Sequence, residues 1–425
     1  MGNSAAGPTR VVITGVGLVT PLGLSTDENL QRCRAGESAI VPMRALEVEG
    51  HACQSGAHVP EFDLSNVLRF PKNYRFMGRS VSCAMQAARE SICRSGLQWD
   101  KLDSLRIALY TGSGQTGLES HDYFRALEAA WVGDREMDLQ YLGGLPSHLI
   151  DRYIVLRTLA NGGLGLLSTE FGIQGPNSNI VQSETASAMA LSCAFHDLLE
   201  NRCDVALAGG HDSLLSVSNF LAYEKAGLLS ASEPGEAYRP FDRQRDGLVL
   251  GEGAGFFVLE RREDADARGA EIVGELCGVG CATDLDSGDR APGVEALQTA
   301  VAEAVGEDRI DFVVARGIGT KDEDRREARI ISSAVGDRVP VTALKSRTGY
   351  LGAATAAVEL GMGLLCARQG CMPAILRHTA ADPDCMLDLV VREPRRLESR
   401  QPLGLFLSAS WTGQIAAVAA RAIEA

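Results

Sequence analysis

Eleven cysteines and seven histidines are the residues of this chain best suited to nucleophilic, acid–base or metal chemistry. A thiolate attacks carbonyl and sulfur centres, and a neutral imidazole moves protons near pH 7, so spacing decides what these groups could do. The cysteines are scattered. No CxxC pair occurs, and the closest two, Cys277 and Cys281, have no histidine beside them, which argues against a zinc site. His121 has no neighbouring ligand that would make it part of a metal centre. Cys193 falls within an apolar helical stretch and reads as a buried core thiol. After His211 the only histidine is His378. No metal and no cofactor are called for.

The 425 residues suffice for one large domain or for two pseudo-symmetric halves around a sizeable core. Apolar residues make up 45% and charged residues 23%, the balance of a globular protein. A net charge of −14 and a pI near 5.1 argue against nucleic-acid binding and fit solubility. No apolar run reaches the length of a membrane-spanning helix. Met1–Arg10 is small and polar and is expected to be a flexible leader, not a targeting segment. An odd number of cysteines without a signal peptide fits reduced thiols in the cytoplasm.

Short apolar runs alternate with amphipathic helices. Val11–Thr14 is β-branched and is followed by Gly15-Val16-Gly17, which predicts a strand and then a turn. Ser25-Thr26 offers an N-cap for a helix reaching about Arg34. Val81, Ala84, Met85, Ala88 and Ile92 recur at helical spacing, and Gly96 ends that helix. Arg106–Tyr110, Asp204–Gly209 and Gly255–Glu260 read as strands, followed in the second half by Asp311–Ala315, Val339–Ala343, Leu387–Val391 and Gly404–Ser408. Ala353–Leu365 is a small-residue helix suited to close packing. The charged stretch Arg261–Arg268 reads as a surface helix between halves and divides the chain into 1–10, 11–262 and 263–425. Alternating strands and helices predict a layered α/β fold.

The segment Tyr238-Arg239-Pro240-Phe241-Asp242-Arg243-Gln244-Arg245-Asp246-Gly247, followed by Gly251-Glu252-Gly253-Ala254-Gly255, resembles the RPFD…RDG…GEGAG signature of the β-ketoacyl synthase family of the thiolase superfamily. Val12–Gly23 resembles that family's first strand and turn, Lys345–Tyr350 its KSxTGH motif, and Arg316–Thr320 its HGTxT motif, with Asp324 and Glu327 at the matching offsets. The likeness runs from about residue 11 to 415. It implies a thiolase fold, layered αβαβα, with two five-stranded sheets in two pseudo-symmetric halves. It also implies dimerisation through the edge strand Asn177–Ser183, since a bare edge is an aggregation hazard.

In this family a nucleophilic cysteine and two histidines perform the condensation. Counting forward from Gly175-Pro176 and back from Ala208-Gly209-Gly210 both put Glu184 at the cysteine position; an alignment on a Ser-Glu-Gln pattern would put Thr185 there. Arg316 and Tyr350 stand at the histidine positions, and Lys345 is retained with a bracing role. A carboxylate suits a helix N-terminus, yet as an acyl acceptor it would have to form an unstable mixed anhydride from a thioester. Arginine is no base at physiological pH. The gating loop of the family is replaced by Ala409-Ser410-Trp411-Thr412-Gly413, poorer in glycine and so stiffer.

A family scaffold without its catalytic groups resembles the chain length factor of a type II polyketide synthase, and Ala208–Ser213 is similar to that subgroup's Gly-Gly-Val-Asp-Ser pattern. The resemblance implies a noncatalytic, cytoplasmic subunit in a heterodimer with an active ketosynthase, reaching acyl carrier protein through the complex. Leu118, Ser120, His121 and Asp122 then lie where side chains close the polyketide tunnel, or on an ordinary interface helix. Two other readings stand beside it: a malonyl decarboxylase using Glu184, disfavoured because decarboxylating relatives keep their histidines, and a homodimeric scaffold.

Overall fold

Ten apolar or small-residue segments become the strands of the main sheet: β1 (Val11–Val19), β2 (Ile107–Ser113), β3 (Asn177–Val181), β4 (Val205–Ser213), β5 (Glu252–Arg261), β6 (Gly274–Thr283), β7 (Phe312–Val314), β8 (Val341–Thr342), β9 (Leu403–Ala409) and β10 (Gln414–Ala422). The structure is a computed structural model that describes residues 9–114, 120–133, 136–144, 151–284, 294–306 and 308–424. Most of the expected leader, residues 1–8, lies outside them.

Strand order is β8-β7-β9-β10-β6-β1-β5-β4-β2-β3. From β1 outward the pairings are antiparallel to β5, antiparallel on to β4, then parallel to β2 and to β3. From β6 outward the sequence repeats: antiparallel to β10, antiparallel to β9, parallel to β7 and to β8. The two five-strand sets are thus pseudo-symmetric, and they are joined where β1 meets β6 at Val11–Leu276, Val12–Glu275 and Ile13–Gly274. The expected two sheets are in this way hydrogen-bonded into one continuous array.

Helices complete the layers. α1 (Thr26–Arg34) is capped by the Ser25 side chain, which accepts from the Glu28 N–H. α2 (Arg79–Ser95) lays Val81, Ala84, Met85 and Ala88 on the first sheet and ends at Gly96 in the left-handed region, φ 67°. α3 is Ser120–Ala130, and α4 (Ala186–Leu199) packs against strands of both halves. α5 (Val294–Val305) and α6 (Lys321–Val335) cover the second sheet. α7 (Thr355–Arg368) is buried on nearly every side, as small residues such as Ala356, Ala357, Gly361 and Gly363 permit, and lies between the sheets with α4. The arrangement is the layered αβαβα sandwich that the resemblance implies. A short helix, Arg262–Ala267, links β5 to β6. Among the described residues no helix is long and apolar enough to cross a membrane.

Two sequence expectations need correction. Gly15-Val16-Gly17 does not turn: β1 continues through it, with its register against β5 shifted between Ile13 and Gly15. The glycines serve helix packing instead, because a Cβ on Gly15 would stand 2.0 Å from the Ser91 carbonyl oxygen and one on Gly17 1.9 Å from that of Ala87. Leu387–Val391 forms only the single bridges Val341–Leu389 and Ile375–Val391, and Arg392, at φ 67°, turns the chain away. We expect Gly17→Ala to lower stability by about 1–3 kcal/mol, since α2 must shift to admit the methyl group. Urea unfolding reads this directly, and an unchanged midpoint would contradict the close approach.

Candidate functional site

The parallel strands deliver charged side chains to one buried place. β3 runs out through Ser183 to Glu184, which sits just before α4. β7 runs out to Arg316, in a bend whose Gly317 and Gly319 adopt φ of 51° and 81°. β8 leads to Lys345 at the start of the short helix Lys345–Thr348. Glu184, Arg316 and Lys345 are all buried.

Arg316 Nε donates to Glu184 Oε2 at 2.9 Å, and its Nη1 donates to Glu323 Oε2 at 2.6 Å. Lys345 Nζ donates to the Arg316 carbonyl at 2.6 Å and to Glu359 Oε2 at 3.0 Å. It also stands 2.9 Å from Glu184 Oε1, close enough to pair charge although the angle falls short of a hydrogen bond. Each cation is therefore met by two carboxylates. Burial pushes Glu359 up to about 8, against the opposing pull of Lys345. Arg316 is further raised by Glu184 and Glu323, which outweigh the lowering by burial.

The loop is braced from below. Glu327 accepts from the N–H groups of Arg316 and Gly317 at 2.6 and 2.8 Å, and Asp324 from those of Phe241 and Gly319 at 2.7 and 2.9 Å. Burial pushes these carboxyls up to about 7 and about 6. From above, the Trp411 ring lies 4.7 Å from the Arg316 guanidinium carbon, a cation–π contact. The turn carrying Trp411 is tied by Ser410, whose hydroxyl lies 2.9 Å from that of Thr412 and 2.5 Å from Gln414 Oε1. The cavity touching Arg316 and Glu323 holds about 30 Å³, room for a water molecule but not for an acyl chain.

Tyr350 does not hydrogen-bond to this pair. Its backbone bridges to Leu250, its ring stands 5.9 Å from that of Tyr223, and its buried hydroxyl makes no well-formed hydrogen bond with a described residue. Burial raises it, and the nearby Tyr223 and Glu184 add to the shift. The hydroxyl of Tyr238, also buried, likewise has no partner among the described residues. Sequence reasoning missed Glu323 and Glu359. The one legible sign of Glu359 was a lone acid inside the small-residue helix Ala353–Leu365. Leu118 lies outside the described residues, as do the side chains of Ser120, His121 and Asp122, whose backbone forms the start of α3. Cys193 is partly buried on α4 and is raised by burial.

His211 and Asp212, at the end of β4, are buried as well. Asp212 accepts from the N–H groups of Ala353 and Ser213 at 2.9 Å each, and burial pushes it up to about 6. Neither ring nitrogen of His211 has a partner among the described residues, and burial lowers it to about 4.

The sequence profile of the β-ketoacyl synthase N-terminal domain matches residues 9–265, and that of the C-terminal domain residues 273–379. The chain is 30% identical over 401 residues to 3-oxoacyl-acyl-carrier-protein synthase 2 of Coxiella burnetii, covering 92% of this chain and 93% of that protein. It is 31% identical over 399 residues to the tetracenomycin polyketide synthase ketoacyl synthase beta subunit of Streptomyces glaucescens, covering 92% and 93%. Among solved structures it resembles the ishigamide ketosynthase/chain length factor, with a TM-score of 0.85 and 28% identity over 98% of this chain and 100% of that one.

Two measurements test the electrostatics. Arg316→Ala strands buried carboxylates and should cost roughly 3–5 kcal/mol, while the double variant Glu184→Ala/Arg316→Ala should cost less than the sum of its singles. A strictly additive cycle would remove the pairing. For His211, the folded value of about 4 lies below the ordinary 6.5, so the folded chain binds fewer protons between these values. Its contribution is complete above pH 6.5 and is lost as pH falls toward 4, on the order of 3 kcal/mol at about 1.36 kcal/mol per unit. The raised carboxyls run the other way, so the readout is a difference: His211→Val should gain on the parent across that window. A gap independent of pH would contradict the assignment.

Proposed function

The chain belongs to the β-ketoacyl synthase family, and from that premise we propose that it is a noncatalytic subunit of the chain length factor kind, paired with an active ketosynthase of a type II polyketide synthase. The observation that carries the reading is Glu184, whose carboxylate is committed to Arg316 and Lys345. A nucleophile or base needs a free electron pair directed at substrate. Both oxygens here face cations, Lys345 is held by the Arg316 carbonyl and by the carboxylates of Glu359 and Glu184, and Trp411 covers Arg316. The same geometry weighs against a decarboxylase built on Glu184.

The surface supports an assembled state. β3 is the edge of the sheet. Beside it, Asn179 Nδ2 donates to the Ala160 carbonyl at 3.0 Å, which brings the segment carrying exposed Val155, Leu156 and Leu159 next to exposed Val181. An apolar patch next to the open edge of a strand suits a strand-to-strand dimer interface. In this reading α3, with Ser120, His121 and Asp122, and the preceding Leu118 help to close the partner's tunnel, and acyl carrier protein is reached through the complex.

Incubated alone with malonyl and acyl thioesters of acyl carrier protein, the chain should acquire no acyl group by intact mass, whereas its complex with a ketosynthase should release polyketide. A stable adduct on Glu184, or condensation without a partner, would defeat the proposal. Hydrogen–deuterium exchange should show the outward-facing amides of Asn177–Val181, those not bonded to β2, protected only in the complex, and equal protection of them in the isolated monomer would contradict the interface.

A further inference from the structure

The exposed apolar side chains beside the sheet edge sit on a segment held by side chains at its two ends. Val155 and Leu156 lie on the short helix Ile154–Thr158 and Leu159 follows it, at 63%, 47% and 46% exposure. At the start of the segment the Tyr153 ring meets that of Phe76 edge-on, with centroids 5.1 Å apart. At its end the Ala160 carbonyl accepts from Asn179 Nδ2 at 3.0 Å and from the Ser113 hydroxyl at 3.3 Å.

Asn179 stands on β3, the edge strand, yet its side chain faces the sheet. Its Oδ1 accepts from Thr111 Oγ1 at 2.6 Å, and its Nδ2 donates to the Ser113 hydroxyl at 3.0 Å as well as to Ala160. Thr111 and Ser113 are buried and lie two residues apart on one face of β2. The bonds fix the orientation of the amide, because reversing it would set Oδ1 against the Ala160 carbonyl, acceptor against acceptor. Three of the four hydrogen-bonding positions of this amide are thus spent on joining the end of the sheet to one carbonyl of the segment. An apolar side chain would fill the same inward position without the desolvation cost of an amide, but it would leave Ala160 tied by Ser113 alone.

The strand and the segment are therefore placed together. Asn179 sets Val155, Leu156 and Leu159 at a fixed distance from the open backbone edge of β3 and from exposed Val181. A strand added to β3 meets both surfaces at once. A loose segment would have to be ordered during association, and that ordering subtracts from affinity. We propose that Asn179 is the positioning residue of the partner interface: with its side chain turned to the sheet, it holds the apolar segment beside the edge strand and so sets the affinity for the matching edge of an active ketosynthase. The proposal rests on the reading of β3 as the pairing edge.

The test measures binding of the full chain and its variants to the ketosynthase of the same pathway by calorimetry, with hydrogen–deuterium exchange on the free chain. Asn179→Leu fills the space without the hydrogen bonds. It should weaken binding about tenfold, the worth of one or two hydrogen bonds, and speed exchange of the amides of residues 155–162. Ser113→Ala keeps the bond from Asn179 to Ala160 and should weaken binding about threefold, which keeps the test open should Asn179→Leu fail to fold. A general loss of stability would act whatever the segment carries, whereas positioning would not. In a Val155→Ala/Leu156→Ala/Leu159→Ala background, Asn179→Leu should therefore change the affinity by less than about twofold. Equal losses in both backgrounds, unchanged exchange of residues 155–162, or parental affinity in both Asn179→Leu and Ser113→Ala would overturn the proposal and leave the pairing through β3 standing. A parent chain that binds no ketosynthase would overturn the pairing itself, and this proposal with it.

Discussion

The buried contact of Glu184 with Arg316 and Lys345 is the constraint on which the centre of this protein depends. Each charge alone would carry a desolvation cost of several kcal/mol, and only mutual pairing with good geometry offsets it. The geometry is supplied by backbone that the cluster itself holds in place. Lys345 binds the Arg316 carbonyl, and Glu327 binds the N–H groups of Arg316 and Gly317. Side chain and main chain thus fix one another. Burial adds a further adjustment, because Glu359 and Glu327 are pushed up to about 8 and about 7.

The scaffold explains why these three residues meet. Glu184, Arg316 and Lys345 each follow the C-terminal end of a parallel strand, β3, β7 and β8 respectively. In open α/β sheets such ends are where the chain leaves the ladder and side chains converge. The pseudo-symmetry of the two halves brings the strand ends of one half toward those of the other, with α4 and α7 between them. Glu359 enters from α7, so the interior layer contributes both the helix that carries it and the helix that Glu184 precedes.

Much of this was legible in the sequence because glycines, caps and motif spacing act locally. Ser25 caps α1 and Gly96 ends α2 as their chemistry dictates. β6 and β10 were not legible: GELCGVGCAT and QIAAVAARA are rich in glycine and alanine, with little β-branched signal, and become strands by pairing with each other. The glycines of β1 looked like a turn because their use, admitting α2, depends on a helix some seventy residues away. At the site, residue types at motif positions pointed to Glu184, Arg316, Lys345 and Tyr350. Their partners Glu323 and Glu359, and the direction of the Tyr350 hydroxyl, follow from three-dimensional packing that no local pattern encodes.

Charge explains which of the site residues depend on one another. Glu184 and Arg316 set opposite charges against each other in a dry interior. Glu184 without Arg316 would share Lys345 with Glu359, two acids on one cation. Arg316 without Glu184 would rest on Glu323 alone. Together they leave the interior's net charge unchanged. Tyr350 is neutral and needed no such compensation. Its buried hydroxyl is left without a well-formed hydrogen bond among the described residues, a deficit of about 1–3 kcal/mol against the larger one that an unpaired charge would impose. The charged positions are fully partnered and the neutral one is not, which is the order in which the costs of burial rank.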